Sequence, residues 1–369
     1  MSQTSSPLAK IIADEIARTG PITLEHYMSL CLGHPEYGVY TARDPIGTAG
    51  DFTTSPEISQ MFGELIGLWA ASVWQTMGSP QELHLIELGP GRGTLMSDAL
   101  RAARALPGFI DALSVHLVET SQPLRAKQAE SLKASGITPN WHKDFANVPT
   151  GPSIIIANEF FDALPIRQFE RKNNQWHERL IGLDERGDFT FQIADAPNTH
   201  PLLTALFPKA SEGDIAEICP AAHEMIEAVG TRFQTTPGAA LIIDYGHGIS
   251  GTSDTLQAVA KHKYADPLVH PGLADLTAHV DFAALVQSAD KAELTSYGPI
   301  SQGDLLIGLG LHERATALSQ NTTSAQARDI AQSQQRLTAP DQMGTLFKAL
   351  AFTSAGLAPP APFTVSDRS

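Results

Sequence analysis

The sequence predicts an α/β fold, a doubly wound and mostly parallel sheet with a helical N-terminal arm and an inserted and C-terminal lobe. Three stretches predict it. LIELGPGRGT, from Leu85 to Thr94, sets apolar residues around Glu87 and then places glycine at every second position, at Gly89, Gly91 and Gly93. SIIIA, from Ser153 to Ala157, is apolar on both faces, as a strand in the middle of a parallel sheet must be. ALIIDYGH, from Ala240 to His247, repeats that pattern and ends on an acid, Asp244.

Length and charge bound the reading. A chain of 369 residues exceeds the usual single domain, so two lobes or one core with large insertions are expected. The formal net charge is −15 and no Lys/Arg block interrupts it. Binding to a phosphate backbone needs a positive footprint, which argues against nucleic acid and against anionic membrane surfaces. An acidic surface suits a basic or cationic substrate. Cys31 and Cys219 are too few for a metal cluster or a disulfide framework, which fits a reducing compartment. MSQTSSPLAK lacks an apolar signal core, Asp14 and Glu15 argue against a transit peptide, and no apolar run reaches spanning length. A soluble, cytoplasmic protein without membrane insertion is expected.

Taken in order, residues 7–32 read as two helices. Leu8, Ile11, Ile12 and Ile16 recur at helical spacing, Gly20-Pro21 stops the first, and Thr23 caps the second. The loop HPEYGVYTARDPIGTAGDFTTSPEIS follows, and then an apolar helix from Gln60 to Met77. Asp51, Thr53, Thr54, Ser55 and Glu57 in that loop suit polar ligand contacts and equally a structural crossover.

The glycine stretch is a strand, a tight loop and a helix, with Leu95, Ala99 and Ala102 on one helix face. Such a unit offers backbone N–H groups to an anionic ligand at a helix N-terminus. The dinucleotide fingerprint is G-x-G-x-x-G, and here the third glycine comes one residue early. SVHLVE then ends on Glu119, 26 residues after Gly93, where an α/β nucleotide fold holds ribose hydroxyls. WHKDF sets Asp144 beside Phe145, a common dipeptide that by itself reads as an ordinary surface loop.

SIIIA runs straight into NEFFDALP, residues Asn158 to Pro165, at the carboxyl end of a central strand, where open α/β sheets place their active sites. Two carboxylates beside a buried strand end are costly unless they bind something; the plainer reading is that Asn158 and Glu159 cap a helix. QFERKNNQWHERLIGL reads as an antiparallel hairpin, GDFTFQIA as a further strand and PAAHEMIEAVGTRF as a helix. KHKYADPLVHPGLADLTAHVDF is dense in histidine and acid, yet the spacings of His262, His270 and His279 fit no metal pattern. A substrate-facing loop with Asp266, His270 and His279 is expected instead, and no metal. A helix is expected to begin between Thr277 and Leu285, a mainly helical region to run through Leu337, GTLFKALAFTSAG to form an edge strand, and the tail from Pro359 to be loose. The domain organisation predicted is an arm and covering loop at 1–78 and an α/β core at 79–166 and 238–250 closed by 338–356. An insertion at 167–237 and a substrate-facing lobe at 251–337 complete it.

With these blocks in order, the chain resembles the MidA-like family of class I S-adenosylmethionine-dependent methyltransferases, which includes mitochondrial assembly factors for respiratory complex I. The resemblance rests on GDFTTSPEIS with FGE after it, ELGPGRGTL, NEFFDALP, LIIDYGH, ADLTAHVDF, QGDLL and MGTLFK, and spans about Leu8 to Phe352. It implies S-adenosylmethionine as cofactor. Gly89, Gly91 and Gly93 would wrap the methionine moiety, Glu87 would anchor the loop or the amino group, Glu119 the ribose, and Asp144 with Phe145 the adenine, with Thr54 and Ser55 also on the cofactor. It further implies a protein substrate, an arginine in the iron–sulfur quinone-site subunit of complex I. A guanidinium needs carboxylates to hold its planar fork, so Glu159 and Asp162 with Asn158 are expected as catalytic residues, and Asp51, Glu57, Asp266, His270 and His279 are expected to face the substrate. A homodimer is compatible with it, and the compartment would be a bacterial cytosol or, in a eukaryote, the mitochondrial matrix. A cofactor-binding assembly chaperone without turnover, and a methyltransferase acting on a small molecule or another protein, stay open.

Overall fold

A computed structural model describes residues 6–42, 53–198, 203, 207–320 and 322–367. The chain forms two compact units, one of residues 1–52, 162–224 and 249–284, the other of residues 53–161, 225–248 and 285–369.

The first unit begins with the helix Pro7–Thr19. The Ser6 side chain caps it at the Ala9 amide, and Gly20, at φ 85°, closes it with a hydrogen bond to the Ile16 carbonyl. Leu8, Ala9, Ile12 and Ile16 form its buried face, whereas Ile11 is 39% exposed. Thr23 caps the next helix, Leu24–Gly33, at the His26 amide. The expected hairpin is Arg167–Lys172 with Gln175–Leu183. It turns through Asn173 and Asn174, both at positive φ, the backbone that two-residue hairpin loops require. Ile22–Thr23 and Phe189–Ile193 pair with its second strand and Ile215–Ile218 with its first. A small sheet of Gln257–Ala260, Lys263–Ala265 and Asp275–Thr277 completes the unit. Asp275–Thr277 is taken up as a strand, and the helix expected to begin between Thr277 and Leu285 begins after it. It runs Phe282–Lys291 behind Asp281, whose carboxylate accepts the Ala284 amide at 3.0 Å.

In the second unit lies the main sheet, β1 Leu83–Leu88, β2 Leu113–Val118, β3 Asn140–His142, β4 Ser153–Asn158, β5 Gly238–His247, β6 Thr295–Ser301 and β7 Phe347–Thr353. Their order is β6-β7-β5-β4-β1-β2-β3. β5, β4, β1, β2 and β3 are mutually parallel, and β7 runs antiparallel to both of its neighbours. Strand order reverses beside β1, where β4 lies on one side and β2 on the other, and such a switch point opens a ligand crevice at the carboxyl ends. Two expectations are corrected here. β7 is not an edge strand: it is buried almost throughout and sits inside the sheet, with β6 outside it. Gly298 and Pro299 hid β6 in a region read as helical. The tail is not loose either, since Phe363 is buried in the core of this unit.

The helix Gln60–Thr76 packs on the helix Thr94–Ala103 closely enough to demand glycine. A Cβ on Gly67 would lie 2.4 Å from the Ala99 carbonyl oxygen, and one on Gly63 2.7 Å from the Asp98 Cβ. At the end of this contact Glu64, 2% exposed, accepts both arms of Arg314, at 2.6 and 2.9 Å, and also pairs with Arg101. A buried carboxylate is tolerable only when its lone pairs are used in this way.

Candidate active site

The expected glycine loop follows β1 directly. Gly89, Gly91 and Gly93 all have positive φ, at 61°, 53° and 79°. Two of them are also closely packed: a Cβ on Gly89 would lie 2.8 Å from the Phe160 ring, and one on Gly93 3.1 Å from the Gln128 Cα. Gly93 is the N-cap of the helix Thr94–Ala103 and supplies no side-chain cap, so that first turn is not capped by its own N-cap residue.

Glu87, the second-last residue of β1, is 3% exposed, and its Oε2 has no hydrogen-bond partner among the described residues. Burial pushes its carboxyl up to about 8. A buried carboxylate oxygen without a partner at the strand end before a glycine loop suits a cationic donor, and the α-ammonium of a methionine moiety has that chemistry. The residues present therefore fit the cofactor implied by the sequence.

Glu119 follows β2 and is 9% exposed. Its Oε1 accepts the Ser121 amide at 2.8 Å and its Oε2 the Gln128 side-chain amide at 3.2 Å. Each carboxylate oxygen has two lone pairs, so acceptor capacity is left for a hydroxyl. Burial raises its pKa, against the opposing pull of the Ser121 and Gln128 hydrogen bonds. Asp144 is exposed and its Oδ1 accepts the Ala146 amide at 3.1 Å. The Phe145 ring does not lie open to cover an adenine: it is 4% exposed, under the Arg232 guanidinium at 5.7 Å. What this dipeptide offers a ligand is the Asp144 carboxylate and the peptide edge.

The turn after β4 is the second focus. Asn158 closes the strand, and Glu159 takes φ 50°, a conformation non-glycine residues seldom adopt outside functional or tightly constrained positions. The backbone is held there by the Glu159 N–H on the Ile243 carbonyl at 2.8 Å and by the Phe161 N–H on Asp244 Oδ2 at 2.9 Å. Glu159 Oε1 accepts the Ser55 amide at 2.7 Å and the Asn158 side-chain amide at 3.2 Å. Asn158 is 8% exposed, and its Oδ1 has no partner among the described residues. Ser55 is fully buried and its hydroxyl donates to Gln302 Oε1 at 3.3 Å. Thr54 precedes the short helix Ser55–Ile58, its carbonyl accepting the Glu57 amide at 3.0 Å. Glu57, expected on the substrate, lies instead on the glycine loop, where its Oε1 accepts the Thr94 hydroxyl at 2.5 Å and its Oε2 sits 3.6 Å from Arg92.

The remaining candidates belong to the first unit. Asp162 is 7% exposed, and its carbonyl accepts the Ala278 amide at 3.0 Å. Asp266 is exposed, its Oδ1 accepting the Leu268 amide, and His270 is exposed at φ 61°. The His279 amide donates to the Thr255 hydroxyl at 2.9 Å. Asp51 lies outside the described residues. Among the described residues no cluster of His, Cys, Asp or Glu is placed to hold a metal ion, and no helix is long and apolar enough to cross a membrane. Reading the sequence singled out neither Gln128 nor the turn-setting role of Asp244. Asp244 carried a visible signal, an acid ending a buried strand; Gln128 carried none.

A doubly wound sheet with a G-x-G-x-G loop after β1, an acid after β2 and a polar turn after β4 defines a class I methyltransferase. The chain belongs to the family described as "Putative S-adenosyl-L-methionine-dependent methyltransferase", whose model matches residues 65–300. It is 38% identical to the zebrafish (Danio rerio) "Protein arginine methyltransferase NDUFAF7, mitochondrial" over 94% of this chain and 87% of that one. The human (Homo sapiens) protein of the same name is 37% identical, over 94% and 83%. Among solved structures, a COG1565 superfamily member from Burkholderia thailandensis bound to S-adenosyl-homocysteine is similar, with TM-score 0.83 and 28% identity over 97% of this chain and 94% of that one.

Proposed function

We propose that this chain methylates a guanidinium nitrogen of an arginine in a protein substrate, with the glycine loop, Glu87 and Glu119 holding S-adenosylmethionine and Glu159 and Asp162 acting on the acceptor. The names of the relatives support the acceptor class, and one observation carries the site: Glu159, held at φ 50° with its Oε1 fixed by the Ser55 amide and Asn158. That backbone at a strand end supports a role in ligand chemistry over helix capping, because no helix begins there.

The bound cofactor supplies an electrophilic methyl group on a sulfonium. The protein's contribution is position and charge. Glu87 receives the methionine ammonium and Glu119 the ribose hydroxyls. A guanidinium is protonated in solution and a poor nucleophile. Glu159, with Asp162 three residues further along the chain, holds the planar fork, draws its charge toward the carboxylates and away from the attacking nitrogen, and takes the proton that this nitrogen gives up as the methyl leaves the sulfonium sulfur for it. Asn158, with its Oδ1 unused, orients the ligand. Glu57 braces Arg92 and Thr94, and so the loop. The family resemblance extends the acceptor to the iron–sulfur quinone-site subunit of complex I, in a bacterial cytosol or a mitochondrial matrix.

Peptide mass spectrometry of complex I subunits from cells with and without the gene tests this reading. A methylated arginine that disappears on deletion is expected. Methylation of the same arginine in both strains overturns the acceptor assignment.

A further inference from the structure

We propose that Gln128 is a positioning residue that fastens the glycine loop to the ribose-side acid, so that the two ends of the cofactor site are set by one amide group. The inference rests on the reading that the glycine loop and Glu119 hold the cofactor.

Gln128 lies in the helix Gln122–Leu132 and is fully buried. Its Oε1 accepts the Trp141 indole N–H at 2.8 Å, and its Nε2 donates to the Gly91 carbonyl at 2.8 Å and to Glu119 Oε2 at 3.2 Å. An indole is only a donor, so Trp141 fixes which end of the amide is oxygen. Both amide hydrogens are thereby committed, one to each half of the site.

The consequences at the two ends differ. In a planar trans peptide the C=O and the following N–H point in opposite directions. Pinning the Gly91 carbonyl toward Gln128 therefore turns the Arg92 N–H to the other side of the loop. At Glu119 the amide acts as a donor, which leaves the carboxylate an acceptor for hydroxyls. The same helix holds the loop once more and packs closely against it. Ser131 donates its hydroxyl to the Arg92 carbonyl at 2.9 Å, and an added Cβ on Gly93 would lie 3.1 Å from the Gln128 Cα. The helix is thus the back wall of the loop, and Gln128 is its latch.

Titration of the full-length protein with S-adenosylhomocysteine, together with steady-state kinetics in S-adenosylmethionine, tests the role. Gln128→Met keeps length and volume and removes both donors. It is expected to weaken product-analogue affinity and to raise KM for the cofactor, each by roughly tenfold, with kcat at saturation within about twofold. Paired with Glu119→Ala, it should give less than the sum of the two single effects, because both cut the same bond. Trp141→Phe leaves Gln128 in place and frees the amide to turn, so it should weaken binding in the same direction; it decides the matter if Gln128→Met does not fold. A lowered thermal midpoint with unchanged affinity and KM, or full additivity with Glu119→Ala, overturns the positioning role. If Glu119→Ala and Gly91→Val also leave affinity unchanged, the cofactor-site reading itself has failed; if those two weaken binding and Gln128→Met does not, only the latch has.

Discussion

Ser55 and Glu159 are joined by a 2.7 Å hydrogen bond from the Ser55 amide to Glu159 Oε1, across 104 residues of sequence. The bond ties the segment before the helix Gln60–Thr76 to the turn after β4. Glu57, two residues on, ties the same segment to the glycine loop through Thr94 and Arg92. One short stretch therefore braces both the glycine loop and the turn after β4.

That arrangement separates binding from turnover. Glu159→Gln keeps an oxygen for the Ser55 amide and for Asn158 and removes only the charge. Turnover should fall by roughly 100-fold or more, since the lost interaction is made with charge redistributing in the transition state. S-adenosylhomocysteine affinity should stay within about twofold. Asp162→Asn should behave likewise. Calorimetric titration beside a methylation assay checks both, and a loss of affinity with turnover per bound cofactor intact would remove Glu159 and Asp162 from the catalytic role.

Glu87 gives the binding step a pH dependence of defined sign. Burial lifts its folded pKa from 4.5 to about 8. In the ligand-free protein the neutral form is favoured, so this group's contribution to stability is complete below pH 4.5 and declines as pH rises toward 8. An ammonium ligand needs the ionised form, so binding below pH 8 releases a proton. Affinity for S-adenosylhomocysteine should rise with pH and level off near 8, by up to about tenfold per unit on the steep part. Titrations in buffers of different ionisation enthalpy count the proton. Glu87→Gln should bind more weakly and lose the slope; an unchanged slope in that variant would assign the proton to another group.

What the sequence made legible was local. Gly89, Gly91 and Gly93 could be read because a turn must be written in consecutive residues, and Glu119 because its distance from the loop is set by one strand–helix–strand unit. The position of β7 was not readable, because both an edge strand and a central strand present apolar residues, and only the pairing partners differ. β6 was masked by Gly298 and Pro299, which count against a strand in any local reading. Gln128 was the least visible: it sits in QPLRAKQAESL, an ordinary polar helix, while its partners lie at Gly91, Glu119 and Trp141. Phe363 reads as part of a proline-rich tail and becomes core only through contacts made far away in the chain.

Gly67 tests how the glycine-loop helix is carried. Alanine would raise intrinsic helix propensity by about 1 kcal/mol. Its Cβ would meet the Ala99 backbone, 2.4 Å from the carbonyl oxygen and 2.5 Å from Cα, where no side-chain rotation brings relief. Overpacking of this kind costs about 1–3 kcal/mol, and against backbone the upper end applies. Gly67→Ala should therefore lose about 1–2 kcal/mol net in urea denaturation. A gain in stability would mean that the two helices separate freely, and that the glycine is not what sets their distance.

The acid limb of stability should be carried by a row of three histidines across the sheet. His84, His116 and His142, on β1, β2 and β3, are linked ring to ring, His84 Nδ1 to His116 Nε2 and His116 Nδ1 to His142 Nε2, each at 2.9 Å. Ser114 also meets His116 Nε2, at 3.0 Å. His116 is 2% exposed, and burial, then the neighbouring His84 and His142 and the Arg232 guanidinium, push its pKa down from 6.5 to about 4. Burial lowers His84 and His142 as well, with Arg232 acting on the first and Arg125 on the second. The folded protein thus holds fewer protons on these rings than the unfolded chain. Their contribution is complete above pH 6.5 and is lost as pH falls toward 4. Urea midpoints should accordingly drop steeply between pH 6.5 and 4. His116→Gln, which retains a donor and an acceptor but cannot take up a proton, should be flatter over that window even if it starts lower at pH 7.5. Parallel decline of the two proteins would place the acid sensitivity elsewhere in the chain.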